Sequence, residues 1–226
     1  MSKKPAQGVR ARVRAELTAE IKAAATRQLV EVGAAAISLR AIARELGMAS
    51  SAIYRYFASR DDLLTALIID AYNDLGDVVE SAEGAVADRA DLGSRFVAIA
   101  LSIRTWAVDN PHHYALLYGS PVPGYAAPQD TIDPATRVPV ALLSLLVEAG
   151  EKQRRTSKKL DLALSGLSEF TGNTLSSPRL SEGVEVWGTV FGYITLELFG
   201  HFENAVADPA VVFETLVAGM AERLFA

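Results

Sequence analysis

Seven polar side chains crowd a short stretch of the N-terminal quarter: Arg40, Ser50, Ser51, Tyr54, Arg55, Tyr56 and Arg60. They offer positive charge and hydrogen-bond donors, the chemistry that grips a phosphate backbone or reads a base edge. Ser50 and Ser51 are short enough to let a helix approach base edges closely, and their hydroxyls suit a phosphate equally well. Arg40, Ser51, Tyr54, Tyr56 and Arg60 are expected chiefly to hold phosphates, and Ser50 and Arg55 to meet bases. Only rigid local elements can present such a set together.

Those elements are legible. Ser38 is a good N-cap, Leu39, Ile42, Ala43 and Leu46 recur at helical spacing, and Gly47 ends the run where a left-handed residue is often required. After Met48 and Ala49, a second segment buries Ala52, Ile53, Tyr56 and Phe57 and leaves Ser50, Ser51, Tyr54 and Arg55 outward. Two short helices joined by a Gly turn make a helix-turn-helix, whose second helix is the one offered to a major groove. Periodicity alone fits a corner of any small helical protein equally well. A further helix is predicted from Val13 to Val32, stopped by Gly33. Residues 1–12, with Lys3, Lys4, Pro5, Gly8, Arg10 and Arg12, have a composition that need not fold and suits either a basic arm for phosphate or a minor groove or, for Lys3 and Lys4 equally, a tail with no role.

Charge divides the chain in the same way. Residues 1–60 carry 11 Lys and Arg against 4 Asp and Glu, whereas residues 61–226 carry 11 against 23, within a net −5 over 226 residues. A basic quarter on an acidic remainder points to a polyanion for the first part only.

The run Gly47-Met48-Ala49-Ser50-Ser51-Ala52-Ile53-Tyr54-Arg55-Tyr56-Phe57, followed by Ala58-Ser59-Arg60-Asp61-Asp62-Leu63-Leu64, resembles the DNA-binding signature of the TetR family of transcriptional regulators. The similarity spans residues 17–67. It implies an all-α dimeric repressor with an N-terminal three-helix helix-turn-helix domain and a larger C-terminal helical ligand-binding and dimerisation domain. It also implies a near-palindromic double-stranded operator, a small organic effector, no cofactor and a cytoplasmic location. Ala49 departs from the family's capping Ser; an Ala there moves the helix start to Ser50 or forfeits about 0.5–2 kcal/mol, and a moved start would rotate the outward roles. Met48 keeps the apolar plug that Val usually provides.

Downstream, a helix over 61–80, opened by Asp61 and Asp62, is expected to connect a domain of residues 1–60 to one of 61–226. Helices are predicted over 92–108, in one or two turns at 112–118, and over 136–155, 160–176, 181–203 and 209–224, with a Pro-stiffened loop at 119–134. Residues 81–91 are helix or linker. Lys152, Arg154, Arg155, Lys158 and Lys159 read as cations at a helix C-terminus.

Trp106, His113, Tyr114, Leu117, Tyr118, Leu142, Leu146 and Phe170 combine large apolar groups with a few polar ones; that composition fits a packed core as well as a pocket, and the family resemblance makes them the predicted lining of an internal cavity for the effector. Val184, Trp187, Phe191, Ile194, Leu198 and Phe202, with Val212, Leu216 and Met220, exceed what one packing direction needs and are the predicted dimer contact, a four-helix bundle from two copies. The stretch from Trp187 to Gly200 resembles the C-terminal domain of a TetR subgroup named for its Trp, His and Gly residues, but Phe191 stands where that His would be.

Other chemistries find little support. Adjacent His112 and His113 point different ways on a helix and lack a metal-ligand spacing, so no metal site is predicted. With no cysteine, disulfides and thiol chemistry are excluded. No nucleophile elbow, zincin helix, phosphate loop or dinucleotide fingerprint occurs, which argues against an enzyme. Glu185 and Glu197 interrupt the one long apolar run, Val184 to Phe202, so a membrane span is not expected. The alternative to a regulator is a helical scaffold or small-molecule-binding protein without specific DNA binding.

Overall fold

The computed structural model describes residues 6–151, 155–172 and 174–225, and every regular element among them is helical. In order these are α1 (Ala6–Val32), α2 (Leu39–Glu45), α3 (Arg60–Gly84), α4 (Leu92–Asp109), α5 (Pro111–Tyr118), α6 (Ile132–Glu148), α7 (Lys158–Ala163), α8 (Ser165–Phe170), α9 (Ser177–Leu198) and α10 (Pro209–Phe225). Short 3-10 turns lie at Ala34–Ala36, Ile53–Arg55 and Gln129–Thr131. No helix among the described residues is long and apolar enough to cross a membrane.

Two compact units result. Residues up to Ala71 join His112–Ile132 in a head unit, and Tyr72–Pro111 joins the chain from Asp133 onward in an acidic unit. The connecting helix α3 contributes residues to both.

In the head, Ile21, Ala24, Ala25 and Leu29 form the packed stripe of α1. They meet Leu39, Ile42 and Ala43 of α2, Ile53 and Phe57, and Leu63, Leu64 and Leu67 at the start of α3. Burying each Leu or Ile contributes roughly 1.5–3 kcal/mol, enough to fix such short elements. Leu116, Val122 and Tyr125 pack against this core, and the Tyr125 and Thr65 hydroxyls lie 3.0 Å apart. Thus α5 and the proline loop belong with the head, a grouping that sequence order conceals.

In the acidic unit, Phe96, Ile99, Ile103 and Trp106 of α4 are buried, as are Val190 and Ile194 of α9 and Phe213 and Val217 of α10. Arginine–carboxylate clusters supplement this apolar core. Arg104 pairs bidentately with Glu197, joining α4 to α9, and Arg95 joins α4 to Glu83 of α3 and Glu148 of α6. Arg137 of α6 donates to Asn73, Asp77 and Glu80 along α3. Gly76 makes room for it: a Cβ there would stand 2.6 Å from the guanidinium.

Several boundaries differ from expectation for identifiable reasons. Helix α1 starts at Ala6, so Gly8, Arg10 and Arg12 are helical rather than an arm; Lys3, Lys4 and Pro5 lie outside the described residues. Helix α6 ends at Glu148, before Arg155, because Gly150 adopts φ 73 and its N–H closes back on the Val147 carbonyl. Lys158 and Lys159 therefore open α7 instead of closing α6, while Lys152 and Arg154 lie outside the described residues. The predicted 160–176 helix divides at Leu164 into α7 and α8. Pro178, just beyond the predicted 160–176 helix, sits in the first turn of α9, where its missing N–H costs nothing. Helix α9 stops at Leu198, short of Phe202, where Gly200 takes φ 79 and the His201 N–H reaches back to the Leu196 carbonyl.

Candidate nucleic-acid interface

Helix α2 begins as anticipated: the Ser38 side chain accepts from the Ala41 N–H, and the Gln28 side chain accepts from the Ser38 N–H. Gly47, at φ 65, turns the chain. The expected second α-helix is instead a turn followed by the 3-10 helix Ile53–Arg55. Its bonds are tight: the Ala52 N–H donates to Ala49, Arg55 to Ala52 and Tyr56 to Ile53, each three residues back. No side chain caps this 3-10 helix. The Ala49 carbonyl accepts the first turn's bond, but the residue has no side chain with which to hold an N–H.

Despite the altered helix type, the outward set is the predicted one. Ser50, Ser51, Tyr54 and Arg55 are exposed, Tyr56 is half-buried, and Ile53 and Phe57 face the core. Arg40 is exposed on α2, as is Arg44 in its last turn. Among the described residues no carboxylate pairs with Arg40, Arg44 or Arg55. An unneutralised cationic edge beside two short hydroxyls suits a polyanion.

Arg60 is different. Its Nη2 donates to the Ala34 and Ala35 carbonyls at 2.8 and 3.0 Å, and its Nη1 lies 3.6 Å from Asp61. It ties the start of α3 to the turn after α1. Sequence reasoning overlooked Arg14, whose guanidinium donates to the Arg55 carbonyl at 3.1 Å and lies over the Tyr56 ring at 5.6 Å. The four-residue spacing of Arg10 and Arg14 on α1 was the available signal.

The predicted ligand residues distribute over both units. Trp106, Leu142 and Leu146 are buried in the acidic unit, and the Trp106 indole N–H donates to Asp74. Phe170 is itself exposed and lines a solvent-open cavity of about 330 Å³ on the other flank of α6, with Val140, Leu143, Val147, Ser144 and Thr171, so this site is a surface cleft rather than the internal cavity expected. Tyr114 is fully buried in the head and His113, Leu117 and Tyr118 are half-buried there, while His112 and Leu116 line a head cavity of about 410 Å³.

Beside α6, Arg137 hydrogen-bonds Glu80 and holds its carboxyl below the usual range, and Arg95 does the same to Glu148. Burial pushes Glu83 up, but hydrogen bonds from Arg95 and Arg89 outweigh it and leave Glu83 lowered.

Of the predicted dimer residues, Val184 and Val212 are exposed, and Trp187, Leu198, Phe202 and Leu216 are half-buried. Phe191, Ile194 and Met220 are buried within their own chain. Leu196, Phe199 and Val211, which the sequence reading passed over, are exposed. No atom lies near a Cβ built on Gly188, Gly192 or Gly219, so these glycines face open space.

Comparison with known proteins agrees with this geometry. Residues 21–67 match the family model described as bacterial regulatory proteins, tetR family, and residues 96–220 match tetracyclin repressor-like, C-terminal domain. HTH-type transcriptional regulators of Mycobacterium bovis and Mycobacterium tuberculosis are 43% identical, with 95% of this chain and 97% of theirs covered. A regulatory protein of solved crystal structure is 32% identical with a TM-score of 0.78, covering 96% of this chain and 98% of its own.

Proposed function

Because this chain belongs to the TetR family of transcriptional regulators, we propose that it is a homodimeric repressor whose hold on a near-palindromic operator is released by a small, mainly apolar molecule. That it is a DNA-binding helix-turn-helix regulator and not an enzyme follows from the family and its relatives. The observation carrying the proposal is the exposed, unneutralised edge of Arg40, Ser50, Ser51, Tyr54 and Arg55. Ser50 and Arg55 meet bases; Arg40, Ser51, Tyr54 and Tyr56 hold phosphates; Arg60 serves chiefly to anchor α3 and adds positive potential.

Two copies joined through α9 and α10 bring Val184, Trp187, Leu196, Phe199, Val211 and Val212 out of water, with Gly188 and Gly192 permitting close helix approach. The effector occupies the cavity between α6 and α8, its apolar body against Val140, Leu143, Val147 and Phe170 and a polar group toward Ser144 or Thr171. Release requires that the effector favour the conformation that binds DNA poorly, since equal affinity for both shifts nothing.

Binding selection from a random duplex pool tests the core of this reading. Two inverted half-sites about 34–36 Å apart, centre to centre, are expected; recovery of unrelated single half-sites would sink it. Replacing Val140 with Trp should abolish effector response while operator affinity persists.

A further inference from the structure

The recognition segment lacks the side-chain cap that normally stiffens such a helix, yet it must hold Ser50, Tyr54 and Arg55 in a fixed array. We propose that Arg14, on α1, is a positioning residue that does this from the opposite end. Its guanidinium donates to the Arg55 main-chain carbonyl at 3.1 Å, the last carbonyl of the 3-10 helix, and lies 5.6 Å from the centre of the Tyr56 ring. Both targets belong to the recognition segment, and donor and acceptor lie 41 positions apart in the chain. The tether is long-range in sequence and local in space.

The chemistry suits the task. The Arg55 carbonyl ends the 3-10 helix without an intrahelical donor, so a guanidinium that donates to it satisfies an open acceptor. A guanidinium offers five N–H groups in a plane: one edge can bond the carbonyl while the face covers an aromatic ring, which an ammonium cannot imitate. On the adjoining turn, the Thr18 hydroxyl donates to the Arg14 carbonyl at 2.8 Å, part of the helix that carries the tether. Arg14 thereby reaches a 3-10 helix whose N-cap, Ala52, offers no side-chain bond. It acts on DNA through Arg55 and Tyr56, so the inference rests on the assignment of the Ser50–Tyr56 edge to the operator.

The charge-retaining variant separates a tether from a phosphate contact. In the full-length protein, Arg14→Lys and Arg14→Gln are compared for affinity to the selected operator duplex across salt concentrations and for amide exchange. As a tether, Arg14→Gln weakens the operator complex about 5- to 10-fold and Arg14→Lys about 3-fold. Both speed exchange at the Arg55 and Tyr56 amides about 3- to 10-fold without DNA, because their bonds to Ala52 and Ile53 open more often. Arg14→Lys binding like the parent, with Arg14→Gln lowering the salt slope by a full charge, would overturn the tether in favour of a phosphate contact. Unchanged amide exchange in Arg14→Gln overturns it without reference to DNA. If exchange rises and operator affinity holds, the tether acts but the Ser50–Tyr56 edge is not the reader, which locates the failure in the site assignment.

Discussion

Several arginines of the head and several of the acidic unit are used in opposite ways. In the head, Arg40, Arg44 and Arg55 stand exposed, with no carboxylate partner among the described residues. In the acidic unit, Arg95, Arg104, Arg137 and Arg179 are buried or half-buried against Glu83, Glu148, Glu197, Asp77, Glu80 and Glu182. Exposed cations left unneutralised are available to an external polyanion. Cations already paired with internal carboxylates join helices, and leave that unit's external chemistry to its apolar surfaces and cavity. Position and pairing, more than number, separate a binding charge from a structural one.

The largest expected effect tests the structural half of this contrast. Glu197→Ala strands the Arg104 guanidinium, 18% exposed, without its bidentate partner and should cost about 3 kcal/mol in thermal or denaturant unfolding. Glu45→Ala removes the partner of Arg27 in the head, where both side chains are more than a third exposed, and should cost no more than about 1 kcal/mol. Similar losses for the two would erase the distinction.

Gly188→Arg probes the apolar surface of the acidic unit. The isolated chain has room for the side chain, so helicity and single-chain folding should persist, while dimer dissociation measured by sedimentation rises by about 100-fold. A dimer that survives intact moves the interface elsewhere.

On the head, Arg40→Ala should weaken specific and nonspecific duplexes alike by about 10-fold and lower the salt slope by about one charge per half-site. Tyr54→Phe removes one hydroxyl and should weaken all duplexes by about 3- to 5-fold. Altered discrimination among single-base operator variants would move Tyr54 from phosphate to base.

The smallest effect is an acid response confined to the paired unit. Glu80, Glu83 and Glu148 titrate below the ordinary 4.5 when folded, so their pairing stabilises fully above that value and is lost as pH falls through their lower folded values. Thermal stability should be flat from about pH 6 to 8 with respect to these groups and decline below about 4.5. Solvent screening at half-exposed Glu80 and Glu148 keeps the decline modest. A loss of the same size in Arg137→Gln and the parent would remove Glu80 as a source, and the same result in Arg95→Gln would remove Glu83 and Glu148.

Sequence alone determined the helical class, the helix-turn-helix and the outward face of the head. Local rules decide these: Ser38 caps, Gly47 turns, and the apolar spacing of Leu39, Ile42, Ile53 and Phe57 leaves only one side of each short element for solvent. Tertiary structure decided what depends on long-range packing. It placed α5 with the head through Leu116, Val122 and Tyr125, turned Leu142 and Leu146 inward and Val140 and Val147 toward the α6–α8 cavity, and buried Ile194 within its own chain. It also brought Arg14 to Arg55. An apolar residue carries the same periodicity whether it meets its own chain, a ligand or a second copy; only the arrangement of the other helices determines which.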